Sequence, residues 1–193
     1  MRHQGCLEEA TPADLLQKPA VGLVEDCDLI TFTSFDASYT GRTLTLRMSV
    51  ASEDCTTLSV PVLCPDLREW FLRSKATLRM LQPFPVLRSA RVVRPAKNSD
   101  VLESLGAVGV NPPYEVGFAH ILAFVAWLKV PDHGIFAREY LSGGLSQIFH
   151  ARDANQVLRS VAVREIGSRL LIDTFSMKCA REWRTGSHIF FPR

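Results

Sequence analysis

VGFAHILAFVAWLKV, residues 116–130, is the most apolar stretch of the chain: twelve of its fifteen residues are apolar, and only Gly117, His120 and Lys129 interrupt. As an α-helix it would run about 22 Å. It is shorter than the ~20 residues of a membrane span and carries a lysine. It reads as a core helix, apolar on nearly every side and covered on most of them. The rest of the chain has to supply that cover.

Upstream the pattern is one of strands. Leu29–Phe35 is rich in β-branched and aromatic residues. Asp36–Gly41 reads as a turn. Leu44, Leu46, Met48 and Val50 then alternate with Thr45, Arg47 and Ser49, the period of a half-buried strand. After a turn at Ser52–Cys55, Leu58, Val60 and Val62 alternate again, and Pro61 marks a sheet edge. Short turns join these strands into an antiparallel meander, with Val86–Val93 as a fourth strand. Three helices interrupt or precede them. Thr11 caps a short one from Pro12 to about Lys18. Pro65 opens another, with Leu67, Trp70, Phe71 and Leu78 inward and Pro83 and Pro85 beyond it. Asp100–Leu105 forms the third, with Asp100 and Glu103 as a capping box. Gly106–Tyr114 is a loop or short strand.

Downstream the pattern reads as helical. His133–Leu141 makes one helix, broken by Gly143 and Gly144. Asp153 with Gln156 caps a longer one carrying Val157, Leu158, Val161, Ala162 and Ile166, ended or bent by Gly167. Leu170–Trp183 is open between helix and strand, and His188–Phe191 docks as an edge strand. The expected fold class is α+β: an N-terminal antiparallel β-meander of three to four strands, packed against C-terminal helices around the central apolar helix 116–130. The expected domain is single, residues 1–193, with a β-rich half at about 20–95 and a helical half at about 98–185.

The 193 residues suffice for a sizeable core, and 47% hydrophobic with 22% charged residues excludes wholesale disorder. The net charge of +2 hides an asymmetry. Residues 1–60 carry four basic and nine acidic side chains, including Glu25, Asp26 and Asp28; residues 151–193 carry eight and four. Such a split points to internal pairing or to charged partners. Cys6, Cys27, Cys55, Cys64 and Cys179 are odd in number, contain no CxxC and fit no zinc pattern. The first residues lack the apolar run of a signal peptide. The expectation is an intracellular, reducing, cytoplasmic setting with free thiols and no membrane span.

Two features carry functional expectations. The first is Arg68 to Lys97, where Arg68, Arg73, Lys75, Arg79, Arg88, Arg91, Arg94 and Lys97 face a single acid, Glu69. Trp70, Phe71 and Phe84 are interleaved. Clustered cations neutralise phosphates, arginine adds bidentate geometry and stacking, and exposed aromatics stack on unpaired bases. The bland alternative is a solvated face partly paired with the acidic front, with Trp70 and Phe71 buried by their helix.

The second is Asn111-Pro112-Pro113-Tyr114. It resembles the [N/D]-P-P-[Y/F/W] motif of methyltransferases that use S-adenosylmethionine to modify amino nitrogens, the N6-adenine type among them. The resemblance implies that Asn111 and Pro112 hold the target amine while Tyr114 stacks on the base. It also implies a parallel fold, into which Thr57–Leu63, the helix from Pro65 and Val86–Val93 can be fitted as a β-α-β unit. That fold needs a glycine-rich turn after its first strand, and Asp36–Gly41 offers one glycine. The bland alternative is a rigid turn feeding the apolar helix.

His3, His120, His133, His150 and His188 show no metal-ligand spacing, and His120 reads as a hydrogen-bonded core histidine. The expected function is therefore a non-enzymatic binding or structural subunit without cofactor or metal. Its basic surface, from 68–97 and the C-terminal helices, would contact RNA or an acidic protein partner, and self-assembly into a homo-oligomer would accompany it. The alternative is the methyltransferase, with S-adenosylmethionine as cofactor.

Overall fold

The computed structural model describes residues 16–17, 34–40, 42–49, 55–72, 78–80, 87–107, 114–129, 140 and 142–192. Two sheets organise them. The smaller contains β2 (Ser34–Thr40), β3 (Thr43–Ser49), β4 (Cys55–Pro61) and β5 (Leu78–Met80), in the order β4-β3-β2-β5 and antiparallel throughout. β3 and β4 are the antiparallel pair expected from the alternation. The expected fourth strand, Val86–Val93, belongs to the other sheet, and Leu78–Met80 pairs with β2 instead. Of the strand expected at Leu29–Phe35 only Ser34 and Phe35 are among the described residues. Leu44 and Leu46 are buried while Arg47 is exposed, as a period of two requires. β4, which ends on Pro61, is an edge strand, where a missing N–H is tolerated. The turn expected at Asp36–Gly41 is shorter: β2 runs through Thr40, which pairs with Thr43.

The larger sheet has six strands in the order β1-β6-β10-β7-β8-β9. They are β1 (Leu16–Gln17), β6 (Leu87–Val92), β7 (Gln147–Arg152), β8 (Leu158–Ile166), β9 (Arg169–Ser176) and β10 (His188–Pro192). Only the β7–β10 pairing is parallel.

This sheet overturns the expected α+β arrangement. Of the expected C-terminal helices, the one from Asp153 is strand, and the one at His133–Leu141 lies outside the described residues except for Tyr140. The described residues are mostly sheet. The segment expected to be a helix from Asp153 is a hairpin. Asp153 caps its loop, accepting from the amides of Asn155 at 2.8 Å and Val157 at 3.0 Å. Leu158, Val161 and Ala162 match a helical spacing by coincidence, because β8 is buried on both faces and lacks alternation. The β-branched Val161 and Val163 are the better guide. Gly167 neither ends nor bends a helix: at φ +64° it makes the two-residue turn between Ile166 and Arg169. β10 is a central strand, not an edge, with Ile189, Phe190 and Phe191 all buried. Leu16 and Gln17 pair with β6, in place of the helix expected there.

Three helices complete the described residues: α1 (Pro65–Phe71), α2 (Asn98–Ala107) and α3 (Phe118–Trp127). α1 starts at Pro65 as expected, but Leu78 belongs to β5. In α2 the cap differs from the expected Asp100–Glu103 pair: Asp100 reaches back to the amide of Lys97 at 3.0 Å. α3 is the apolar helix, with every residue from Ile121 to Leu128 buried. It lies between the sheets, touching β2, β3 and β5 on one side and β7 on the other.

Register fixes what each face of the larger sheet buries. Phe149, Val161, Val163, Leu170, Ile172 and Phe190 turn toward α3 and the smaller sheet. Ala90, Val92, Ile148, Ala162, Ile189 and Phe191 turn the other way, toward Val101 and Leu105 of α2 and toward Trp183. The outer edge, β9, is covered by α1 and β4.

Candidate functional site

The basic residues of 68–97 do not form one stripe. Arg73 and Lys75 lie outside the described residues, as does the side chain of Arg79, whose backbone is in β5. Arg68 sits half-buried on α1. Arg88 and Arg91 are three apart on β6, an odd spacing that places them on opposite faces. Arg91 is exposed, Arg88 and Arg94 are half-buried, and Lys97 is exposed at the start of α2. Phe71 stacks on Phe118 at 4.5 Å, and the Arg159 guanidinium covers Trp70 at 3.8 Å from the ring centre. These two aromatics therefore serve packing first, and Phe84 lies outside the described residues.

The fold instead joins the end of this stretch to the C-terminal basic segment. Trp183 and Ala96 exchange backbone hydrogen bonds, the amide of Gly186 donates to Val92 at 2.7 Å, and that of Val92 donates to Ser187 at 2.8 Å. Residues 92–96 and 183–187 thus run side by side. Gly186 has φ +91°, a conformation that favours glycine, and a Cβ there would stand 3.8 Å from Nη2 of Arg91 and 3.1 Å from Leu145.

Beside this junction opens a cleft of about 310 Å³. Arg164, Arg181 and Arg184 line it, with Ser146 and Ser187, against one acid, Glu182. Arg164 projects from β8, where its Nη2 donates to Asp173 at 2.7 Å and its buried Nε has no hydrogen-bond partner. The Arg181 guanidinium lies 4.5 Å from the centre of the Phe175 ring and 5.4 Å from that of Trp183. This stacking orients its donors without consuming them. Gly144, at φ +65°, brings bare backbone to the rim. These three arginines carry no sequence motif. Their one sequence signal is the excess of cations in residues 151–193, which the expected C-terminal helices would have dispersed.

Of the motif at 111–114, Asn111 and Pro112 lie outside the described residues. Tyr114 is half-buried and packs against the core on the α2 side of the larger sheet, with its hydroxyl 3.7 Å from the Cβ position of Gly106. Glu115 next to it bridges to His150 on β7. The proposed β-α-β unit is absent from this arrangement, since β4 and β6 stand in different sheets.

Among the described residues no group of three or more His, Cys, Asp or Glu side chains is placed to hold a metal. His120 is half-buried in the first turn of α3, and burial lowers its pKa. Its ring lies over Gly117, where a Cβ would stand 2.9 Å from Nδ1. His150 is fully buried, both ring nitrogens lack hydrogen-bond partners, and desolvation lowers its pKa to about 4. The neighbouring polar groups are satisfied: Oδ1 of Asn98 accepts from Ser160 at 2.7 Å and from the Trp183 indole at 2.8 Å. The Cys64 thiol is 3.7 Å from the Thr174 hydroxyl, a structural contact between α1 and β9. No helix among the described residues is long and apolar enough to cross a membrane. No family model, curated protein or solved structure matches this chain.

Proposed function

We propose that this chain is a non-enzymatic binding or structural subunit that holds RNA on a basic surface. The observation that supports this is the cleft lined by Arg164, Arg181 and Arg184, next to the pairing of residues 92–96 with 183–187 that brings the Arg91 guanidinium near Gly186. Two basic stretches about ninety residues apart in sequence meet there. Clustered guanidinium groups neutralise consecutive phosphates, and their planes stack on unpaired bases. RNA is preferred to an acidic protein because the cations surround a concavity, which suits a projecting phosphate better than carboxylates spread over a broad surface.

The test is a gel-shift titration of single-stranded RNA at two salt concentrations. Arg91→Gln with Arg184→Gln changes two exposed side chains. This variant should weaken binding and flatten the slope of log K against log salt by roughly 0.7–0.9 for each phosphate that is no longer neutralised. No shift at low salt, together with a salt-sensitive oligomer in sedimentation, would leave a self-assembling structural protein instead. Asn111→Ala should leave RNA binding unchanged. Titration with S-adenosylmethionine should give no heat; micromolar binding would restore the methyltransferase.

A further inference from the structure

We infer that the arginine cleft is a discrete site for a nucleoside monophosphate unit, with a phosphate monoester held by Arg181 and Arg184. The inference rests on the RNA-binding reading for its chemical class but assigns the cleft a role of its own. Three guanidinium groups oppose one lining carboxylate, Glu182. Arg164 is already committed in part to Asp173, which leaves Arg181 and Arg184 as the freer pair. A monoester carries about −1.5 to −2 charges at neutral pH, which matches two guanidinium groups better than the single charge of a diester does. Ser146 and Ser187, both buried polar residues, also line the cleft.

Size and shape carry the rest. A cleft of about 310 Å³ falls at the low end of small-molecule sites, which span roughly 300–1,000 Å³, and leaves room for more than a phosphate. One face of the Arg181 guanidinium is occupied by the Phe175 ring. The Trp183 ring also lies near that guanidinium, at 5.4 Å, so a base would stack on the part of the Arg181 plane left between the two rings and the cleft, as guanidinium planes are stacking surfaces for unpaired bases. The glycine at position 144 keeps a side chain off the rim. The shared chemistry is a phosphate monoester on a nucleoside, whether free or at the end of an RNA.

Calorimetry on the full chain with adenosine 5′-monophosphate, adenosine and inorganic phosphate tests this. The monophosphate should give single-site, saturable heat, adenosine none at the same concentrations, and phosphate alone an affinity at least tenfold lower. Arg181→Gln with Arg184→Gln should weaken the monophosphate about tenfold or more, as expected for losing charge-assisted hydrogen bonds. Thermal melting checks that the variant is folded, and Arg184→Gln alone, at an exposed position, replaces it if it is not. Oligoribonucleotides with 5′-phosphate and 5′-hydroxyl ends separate the sources. A phosphate-dependent gain identifies an RNA end, and equal binding beside tight monophosphate binding identifies a free nucleotide. Absent monophosphate heat, equal binding of inorganic phosphate, or unchanged affinity in the folded variant overturns the inference. If hydroxyl-ended RNA still shifts in that case, the broader RNA reading stands without it. Monophosphate binding with no shift of any RNA leaves the cleft and removes the RNA surface.

Discussion

The two faces of the larger sheet bury different kinds of side chain. Toward α3 the contacts are aromatic: Phe124 lies 4.7 Å from Phe190 and 5.1 Å from Phe149, and Phe149 stacks on Phe190 at 5.0 Å. Toward α2 the apolar residues enclose polar ones, with Asn98 bonded to Ser160 and Trp183, and His150 paired across the strands with Ser160. The first face is stabilised by area and shape, which are non-directional. The second depends on partners, because a buried polar group without one is costly. The cleft lies on the second side, where Arg164 leaves β8 on the face of Ala162 and where Trp183 and Phe175 pack.

Perturbing each face should break or sharpen this contrast. Phe124→Ala empties the centre of the aromatic cluster and should cost about 3–5 kcal/mol in urea unfolding. A loss below ~1 kcal/mol would mean that α3 is a docking surface instead of a core. On the other face the buried His150 makes stability sensitive to acid. Its folded pKa, about 4, lies below the ordinary 6.5, so between those values the unfolded chain binds more protons. Stability from this residue is complete above pH 6.5 and falls as the pH drops toward 4, by on the order of 3 kcal/mol. His150→Leu should remove that part of the acid sensitivity; identical pH profiles for the two proteins would refute it.

Asn98→Ala strands the Trp183 indole and the Ser160 hydroxyl, and should destabilise by about 1–3 kcal/mol. Ser160 retains a contact with Met177 Sδ at 3.4 Å, so the larger part of the loss belongs to Trp183. Asn98→Ala combined with Trp183→Phe should recover part of it in a double-mutant cycle, and strict additivity would show that the network is not coupled. The smallest effect is expected at the surface. Arg152 bonds both oxygens of Glu115, at 2.8 and 2.6 Å, but its side chain is 46% exposed. Arg152→Gln should cost about 0.2–1 kcal/mol, less at high salt.

Residues buried on one face were readable from the sequence, and residues buried on two were not. Leu44 and Leu46 alternate with Thr45 and Arg47, and the antiparallel pair of β3 and β4 followed from that. β8 and β10 are enclosed on both faces, so Ser160–Val163 and Ile189–Phe191 show no period at all. A run without a period fits helix or strand equally, and Asp153 offered a cap that serves a hairpin loop as well as a helix. At the candidate site the excess of cations was visible, but not which of them meet. Arg164 of β8 meets Arg181 and Arg184 only in the folded chain, where residues 183–187 run beside 92–96.

The sequence by itself determined the apolar helix and its burial, the antiparallel pair of β3 and β4 with Pro61 on its edge, and the start of α1 at Pro65. These are set by local composition and by periods that the backbone imposes within a few residues. Tertiary structure alone decided that the segments 147–176 and 188–192 are strands, that the last strand is central, and that Arg164 shares one cleft with Arg181 and Arg184. Those outcomes depend on which strands pair across the chain, and long-range pairing is written in no single stretch.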